Sequence, residues 1–138
     1  MEILVIDGQG GGLGRQLVAA LRKEMPQAKI LAVGTNSSAA DAMRRAGASQ
    51  AACGENAVIV ACRRADVIVG PLGIVMADAL FGEITPAMAL AAAQSRARRI
   101  LIPTNRCETT VVGVQDGSMT ALVEQAVCRV REICTCGE

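Results

Sequence analysis

Histidine, tyrosine and tryptophan are absent from this 138-residue chain, and phenylalanine occurs once. Without histidine there is no Cys–His nucleophile and no imidazole to complete a zinc site. A single phenylalanine makes no platform on which successive bases of a nucleic acid could stack. An excess of one charge is missing too: the formal net charge is +1. That leaves no long-range field to draw a polyanion or a membrane surface. The two local basic clusters, Arg63-Arg64 and Arg96 to Arg99, read as solvated helix ends. Long apolar runs are missing as well, so no membrane span is expected.

Cysteine, by contrast, is plentiful: Cys53, Cys62, Cys107, Cys128, Cys134 and Cys136. Met1-Glu2 leads directly into a strand-like run, so no signal peptide is expected. A cytoplasmic setting with free thiols follows, several of them small core residues. Cys134-Thr135-Cys136 lacks the C-x-x-C spacing of a redox pair, and no second well-spaced pair accompanies it. No metal is expected.

The apolar pattern alternates between short β-branched runs and stretches at helical spacing. Strands are expected over residues 2–7, 29–33, 48–52, 66–69, 99–102 and 109–114. Helices are expected over residues 13–24, 39–46, 56–64, 72–81, 87–97 and 118–130. Thr85 caps the fifth of these helices, with Pro86 at its first position. Such alternation places helices on both faces of a mostly parallel sheet. The expected fold is therefore α/β, a three-layer Rossmann-like sandwich, with Val111 available to an antiparallel edge strand. Residues 1–133 form one domain, and residues 134–138 a frayed tail.

Asp7-Gly8-Gln9-Gly10-Gly11-Gly12-Leu13-Gly14 runs from the first strand into the first helix. Strand, glycine turn and helix N-terminus together make an anion site. Backbone N–H groups point outward, the helix dipole favours negative charge, and glycine permits close approach. Gly8, Gly12 and Gly14 give the spacing G-x-x-x-G-x-G, which resembles the nucleotide loop of the short-chain dehydrogenase/reductase family. The chain has no tyrosine, so that family's carbonyl chemistry is excluded. No G-K-[ST] follows the glycines, which disfavours a P-loop triphosphatase.

A dinucleotide site usually carries an acid after the second strand, on the adenosine ribose. Here Gly34-Thr35-Asn36-Ser37-Ser38 stands instead, with Arg44 and Arg45 further on. These residues suit helix capping, or a phosphate, including the extra phosphate of NADP. Ligands in open α/β sheets lie beyond the carboxyl ends of the strands. That brings in Gly70-Pro71-Leu72-Gly73, expected to face the glycine loop, and Asn105 and Arg106, which could orient a polar end. Arg106 could clamp a phosphate in bidentate fashion. Candidate acids, bases or nucleophiles are Glu83, Asp78 and Cys107.

Several segments together resemble an uncharacterised family of short bacterial Rossmann-like proteins. They are Val5-Ile6-Asp7-Gly8-Gln9-Gly10-Gly11-Gly12, Gly34-Thr35-Asn36, Gly54-Glu55-Asn56-Ala57, Val69-Gly70-Pro71-Leu72-Gly73-Ile74, Gly82-Glu83-Ile84-Thr85-Pro86-Ala87-Met88-Ala89 and Ile102-Pro103-Thr104-Asn105-Arg106-Cys107. The resemblance implies a fold and a shared site without a known reaction. Gly70-Pro71-Leu72-Gly73 and Pro103-Thr104-Asn105-Arg106 are also similar to stretches of methylglyoxal synthase. That activity is not expected, because the family's histidine has no counterpart.

The leading expectation is binding of a phosphorylated small molecule, a mononucleotide or NAD(P)-like dinucleotide. Gly8, Gln9, Gly10, Gly11, Gly12, Leu13 and Gly14 would hold phosphate. Gly34, Thr35 and Asn36 would hold a ribose or second phosphate, and Gly70, Pro71 and Gly73 would allow close approach. Alternatives are a small enzyme acting on a phosphorylated substrate, and a non-catalytic protein that self-associates through the Ala-rich helix at residues 87–97.

Overall fold

The computed structural model describes residues 1–104, 108–115 and 117–136. Five strands form one sheet: β1 (Glu2–Asp7), β2 (Lys29–Gly34), β3 (Gln50–Cys53), β4 (Val67–Pro71) and β5 (Arg98–Ile102). Their order is β3-β2-β1-β4-β5 and every pairing is parallel. Helices α1 (Gly12–Glu24), α2 (Ser37–Arg45), α3 (Glu55–Arg64), α4 (Pro86–Gln94) and α5 (Met119–Cys136) connect and flank them. This is the three-layer Rossmann-like sandwich that the alternating pattern predicts.

Side-chain alternation in β1 explains the two cores. Ile3 and Val5 face Leu17, Leu21, Met43, Val123 and Val127 from α1, α2 and α5. Leu4 and Ile6 face Val58, Cys62, Ile74, Ile84 and Met88 on the α3 and α4 side. With both faces covered, β1 reads as a continuous apolar run. Each fully buried Ile or Leu stabilises the fold by about 1.5–3 kcal/mol. Cys62 belongs to this core, where burial pushes its thiol up to about 11 and makes it a passive packing group. No helix among the described residues is long and apolar enough to cross a membrane.

Three expectations need correction. Residues 72–81 are not a helix. A 3-10 turn covers Leu72–Val75, and an irregular turn follows as far as Glu83. Ile74, Ala79, Leu80 and Ile84 are buried from this segment, so its apolar character reports burial without helical regularity. Asp78 N–H donates to the Ile84 carbonyl at 2.7 Å, and Ile84 N–H to that of Ala79 at 3.1 Å. Between these bonds Leu80, Phe81 and Gly82 take φ of 56°, 60° and 86°. Three successive left-handed residues are unfavourable, by roughly 1–2 kcal/mol for each side chain bearing a Cβ. Burial of Leu80 offsets part of this cost; Phe81, 99% exposed, recovers nothing by packing.

Residues 109–114 are likewise not a strand. Val112 is 93% exposed and Val112-Gly113 form a turn, so the β-branched run lacks the half-buried surface that strands need. The sheet therefore has no antiparallel edge strand among the described residues. Lastly, α5 continues through Cys134 and Thr135 to Cys136, where a frayed tail was expected.

Candidate functional site

The chain runs outward from β1 to β2 and β3, then returns to place β4 on the other side of β1. The strand order reverses between β1 and β4, and in open α/β sheets such a reversal marks the carboxyl edge where ligands bind. The glycine turn stands on this edge. Gly11 N–H donates to the Gly8 carbonyl at 2.9 Å, closing a tight turn before α1. Gly11 has φ of 72° and caps the helix through its backbone alone.

The glycines divide into two sets. A Cβ on Gly8 would lie 2.7 Å from Thr35 Oγ1, one on Gly11 2.8 Å from Ala39 Cα, and one on Gly14 2.6 Å from Met43 Sδ. These three are buried, and packing accounts for them. Gly10 and Gly12 are exposed, and a Cβ on either would meet nothing within 4 Å. Neither has a positive φ. Among the described residues, no acceptor takes the backbone N–H of Gly10, Gly12 or Leu13.

Asp7, 5% exposed, ends β1 beneath this turn. Its Oδ2 accepts the Gly14 N–H at 2.6 Å, so the carboxylate caps the start of α1 from below. Burial pushes its pKa up, the N–H groups of Gly14 and Gly8 pull against that, and the nearby Glu83 charge adds to the rise.

The β2 end adjoins the turn. Gly34 pairs with Asp7, and Thr35 N–H donates to the Asp7 carbonyl at 3.0 Å. Asn36 caps α2, its Oδ1 accepting from Ala39 N–H at 2.9 Å. Its Nδ2 is left free to donate to the Gln9 carbonyl at 2.9 Å and to Glu83 Oε1 at 2.8 Å. Glu83 Oε1 also accepts from Thr35 Oγ1 at 2.5 Å and from Gln9 N–H at 2.9 Å. Burial raises the Glu83 pKa, but these three donors outweigh it and hold the carboxyl below its ordinary range.

Glu83 thus reaches the place where the sequence shows no acid. The local search after the second strand fails because the carboxylate arrives from the turn that precedes α4. Only tertiary structure joins it to Thr35 and Asn36. The left-handed turn at Leu80–Gly82 makes the delivery: Leu80 Cδ1 lies 2.9 Å from a Cβ placed on Gly8, and Glu83 follows three residues later.

The other candidates are placed as follows. Gly70 and Pro71 end β4 beside β1, and a Cβ on Gly70 would lie 2.4 Å from the Ile6 carbonyl oxygen. Gly73 is buried in the 3-10 turn. Asp78 is exposed, and among the described residues no hydrogen bond ties its carboxylate to the glycine turn. Asn105, Arg106 and Cys107 lie outside the described residues. A separate cleft lies between α3 and α4, lined by Ile59, Cys62, Leu90 and Ala91.

Residues 2–135 match a family described as a domain of unknown function (DUF3842). The chain belongs to this family. No curated protein and no solved structure matches it. The family thus covers nearly the whole chain without assigning a reaction. The fold itself is consistent with a nucleotide-binding Rossmann-type domain in general.

Proposed function

We propose that this family member binds a phosphate-bearing small molecule, a mononucleotide or dinucleotide, at the carboxyl edge of β1 and β2. The observation that carries the reading is the pair Gly10 and Gly12. Neither backbone angle nor packing calls for glycine at these positions, yet each leaves open space in front of unpaired N–H groups. A phosphate approaching the first turn of α1 would use both the space and the donors. The neighbouring Thr35, Asn36 and Glu83 offer polar groups of the kind that bind a ribose.

Glu83 suits holding better than proton abstraction. A general base works best with a pKa near the operating pH, whereas three donors hold this carboxyl low. The reading is therefore of a binding site, with no catalytic role for Glu83.

Calorimetry of the full chain against NAD, NADP, ATP, AMP and pyrophosphate tests it. At least one ligand should bind saturably, and Gly12→Ala should weaken that binding tenfold or more by filling the approach to the turn. Absence of binding to every phosphorylated ligand would sink the reading.

A further inference from the structure

The two oxygens of the Glu83 carboxylate have different surroundings. Oε1 is saturated by Thr35 Oγ1, Gln9 N–H and Asn36 Nδ2. Among the described residues no donor reaches Oε2, and it is not among the buried polar atoms left without partners. One oxygen therefore fixes the group in place, while among the described residues nothing bonds to the other. It lies beside the same turn whose Gly10 and Gly12 face empty space.

Among the described residues, the charges bonded to this turn are carboxylates. Asp7 is a second carboxyl under the turn. The arginines that could serve a second phosphate, Arg44 and Arg45, both pair with Asp41 on the exposed side of α2. Among the described residues, no cation bonds to Glu83. An anchored carboxylate with no balancing cation among the described residues accepts hydrogen bonds from hydroxyls and repels a phosphate.

We infer that this site takes a nucleotide whose ribose 2′,3′-diol is unsubstituted, with Glu83 Oε2 accepting from the diol, and that it rejects the 2′-phosphorylated form. The inference rests on the nucleotide reading above and narrows it. Thr35 and Asn36 then serve as positioning residues, holding Glu83 instead of a second phosphate. A hydrogen bond to a charged acceptor corresponds to about a tenfold change in affinity or more.

The test is calorimetry of the full chain with pyrophosphate, ADP, 2′-deoxy-ADP, 2′-phospho-ADP, NAD and NADP. ADP should bind about tenfold more tightly than 2′-deoxy-ADP and at least tenfold more tightly than 2′-phospho-ADP. NAD should exceed NADP by a similar ratio. In Glu83→Gln, with folding checked by thermal melting, the 2′-phosphate penalty should shrink to threefold or less, because an amide can donate to phosphate. Pyrophosphate affinity should not fall in this variant, because removing a negative charge beside the turn lessens repulsion of the phosphate. Equal binding of ADP and 2′-phospho-ADP to the wild type would overturn the inference while leaving the phosphate reading intact. So would an undiminished preference in a folded Glu83→Gln. Pyrophosphate binding without nucleotide binding would have the same consequence. If no phosphorylated ligand binds, both readings fall. Should the variant not fold, the wild-type comparison of ADP with its 2′-deoxy and 2′-phospho forms decides.

Discussion

Two glycine-bearing segments stand side by side at the carboxyl edge of the sheet, the turn after β1 and the last residues of β4, and they use glycine differently. At the end of β4, a Cβ on Gly70 would press to 2.4 Å from the Ile6 carbonyl oxygen, and Pro71 beside it is buried. That glycine serves close strand packing. After β1, Gly8, Gly11 and Gly14 serve packing too, but Gly10 and Gly12 face open space. The first turn is also charged, with Asp7 below and Glu83 above. The difference teaches that a glycine count does not mark a site. What marks it is glycine that the fold itself does not use.

The largest effect should come from the end of β4. Gly70→Ala forces a methyl against β1 backbone, which cannot move like a flexible side chain. Chemical denaturation should show a loss of about 3 kcal/mol, the upper range for overpacking. A loss below about 1 kcal/mol would break the contrast between the two segments.

A smaller effect should separate the segments by pH. Glu83 has a folded pKa below its unfolded one, so its stabilisation is present above the ordinary glutamate range. That stabilisation is lost as pH falls through the lower, folded value. Asp7 has the opposite sign. Its folded pKa is raised, so stability declines as pH rises from the ordinary aspartate value through the raised one. Denaturation across the acid range should show Glu83→Gln about 1 kcal/mol less stable at neutral pH and converging on the wild type as pH drops. Asp7→Asn should instead gain on the wild type as pH rises. The cost of Gly70→Ala should stay flat, since the groups nearest to the added methyl, from Ile6 and Ile74, do not titrate. Parallel curves for Glu83→Gln and the wild type would refute the anchoring of Glu83.

The same contrast shows how much the sequence discloses. The turn after β1 is legible because strand, glycines and helix are contiguous, and local chemistry decides their arrangement. Thr85 and Pro86 are legible for that reason: Thr85 Oγ1 accepts the Met88 N–H at 3.1 Å, as a cap does. The apolar run at residues 72–81 misleads because a buried irregular turn and a buried helix need the same composition. Three left-handed residues in succession, two of them Leu80 and Phe81, have no local signature. Glu83 can be singled out in sequence as a polar residue near a glycine break. Its contact with Thr35, 48 residues away, belongs to tertiary structure alone. The division of the glycines into packing and open sets is equally invisible, since it depends on where Thr35, Ala39 and Met43 come to rest.

The smallest expected effect sharpens the comparison most. Gly12 is the first residue of α1, without positive φ and without a neighbour for a Cβ. Alanine there keeps the helix, lowers the entropy of the unfolded chain, and should stabilise the protein by about 0.5 kcal/mol. Gly14→Ala, two residues on, would meet Met43 Sδ at 2.6 Å and Asp7 Cβ at 2.8 Å and should destabilise it. A residue whose replacement improves the fold yet weakens ligand binding is set by function, because stability alone would favour the alanine. Thermal melting of the two variants, read beside the calorimetry of Gly12→Ala, checks this. A destabilised Gly12→Ala would return Gly12 to the packing set and remove the main support for a ligand at this turn.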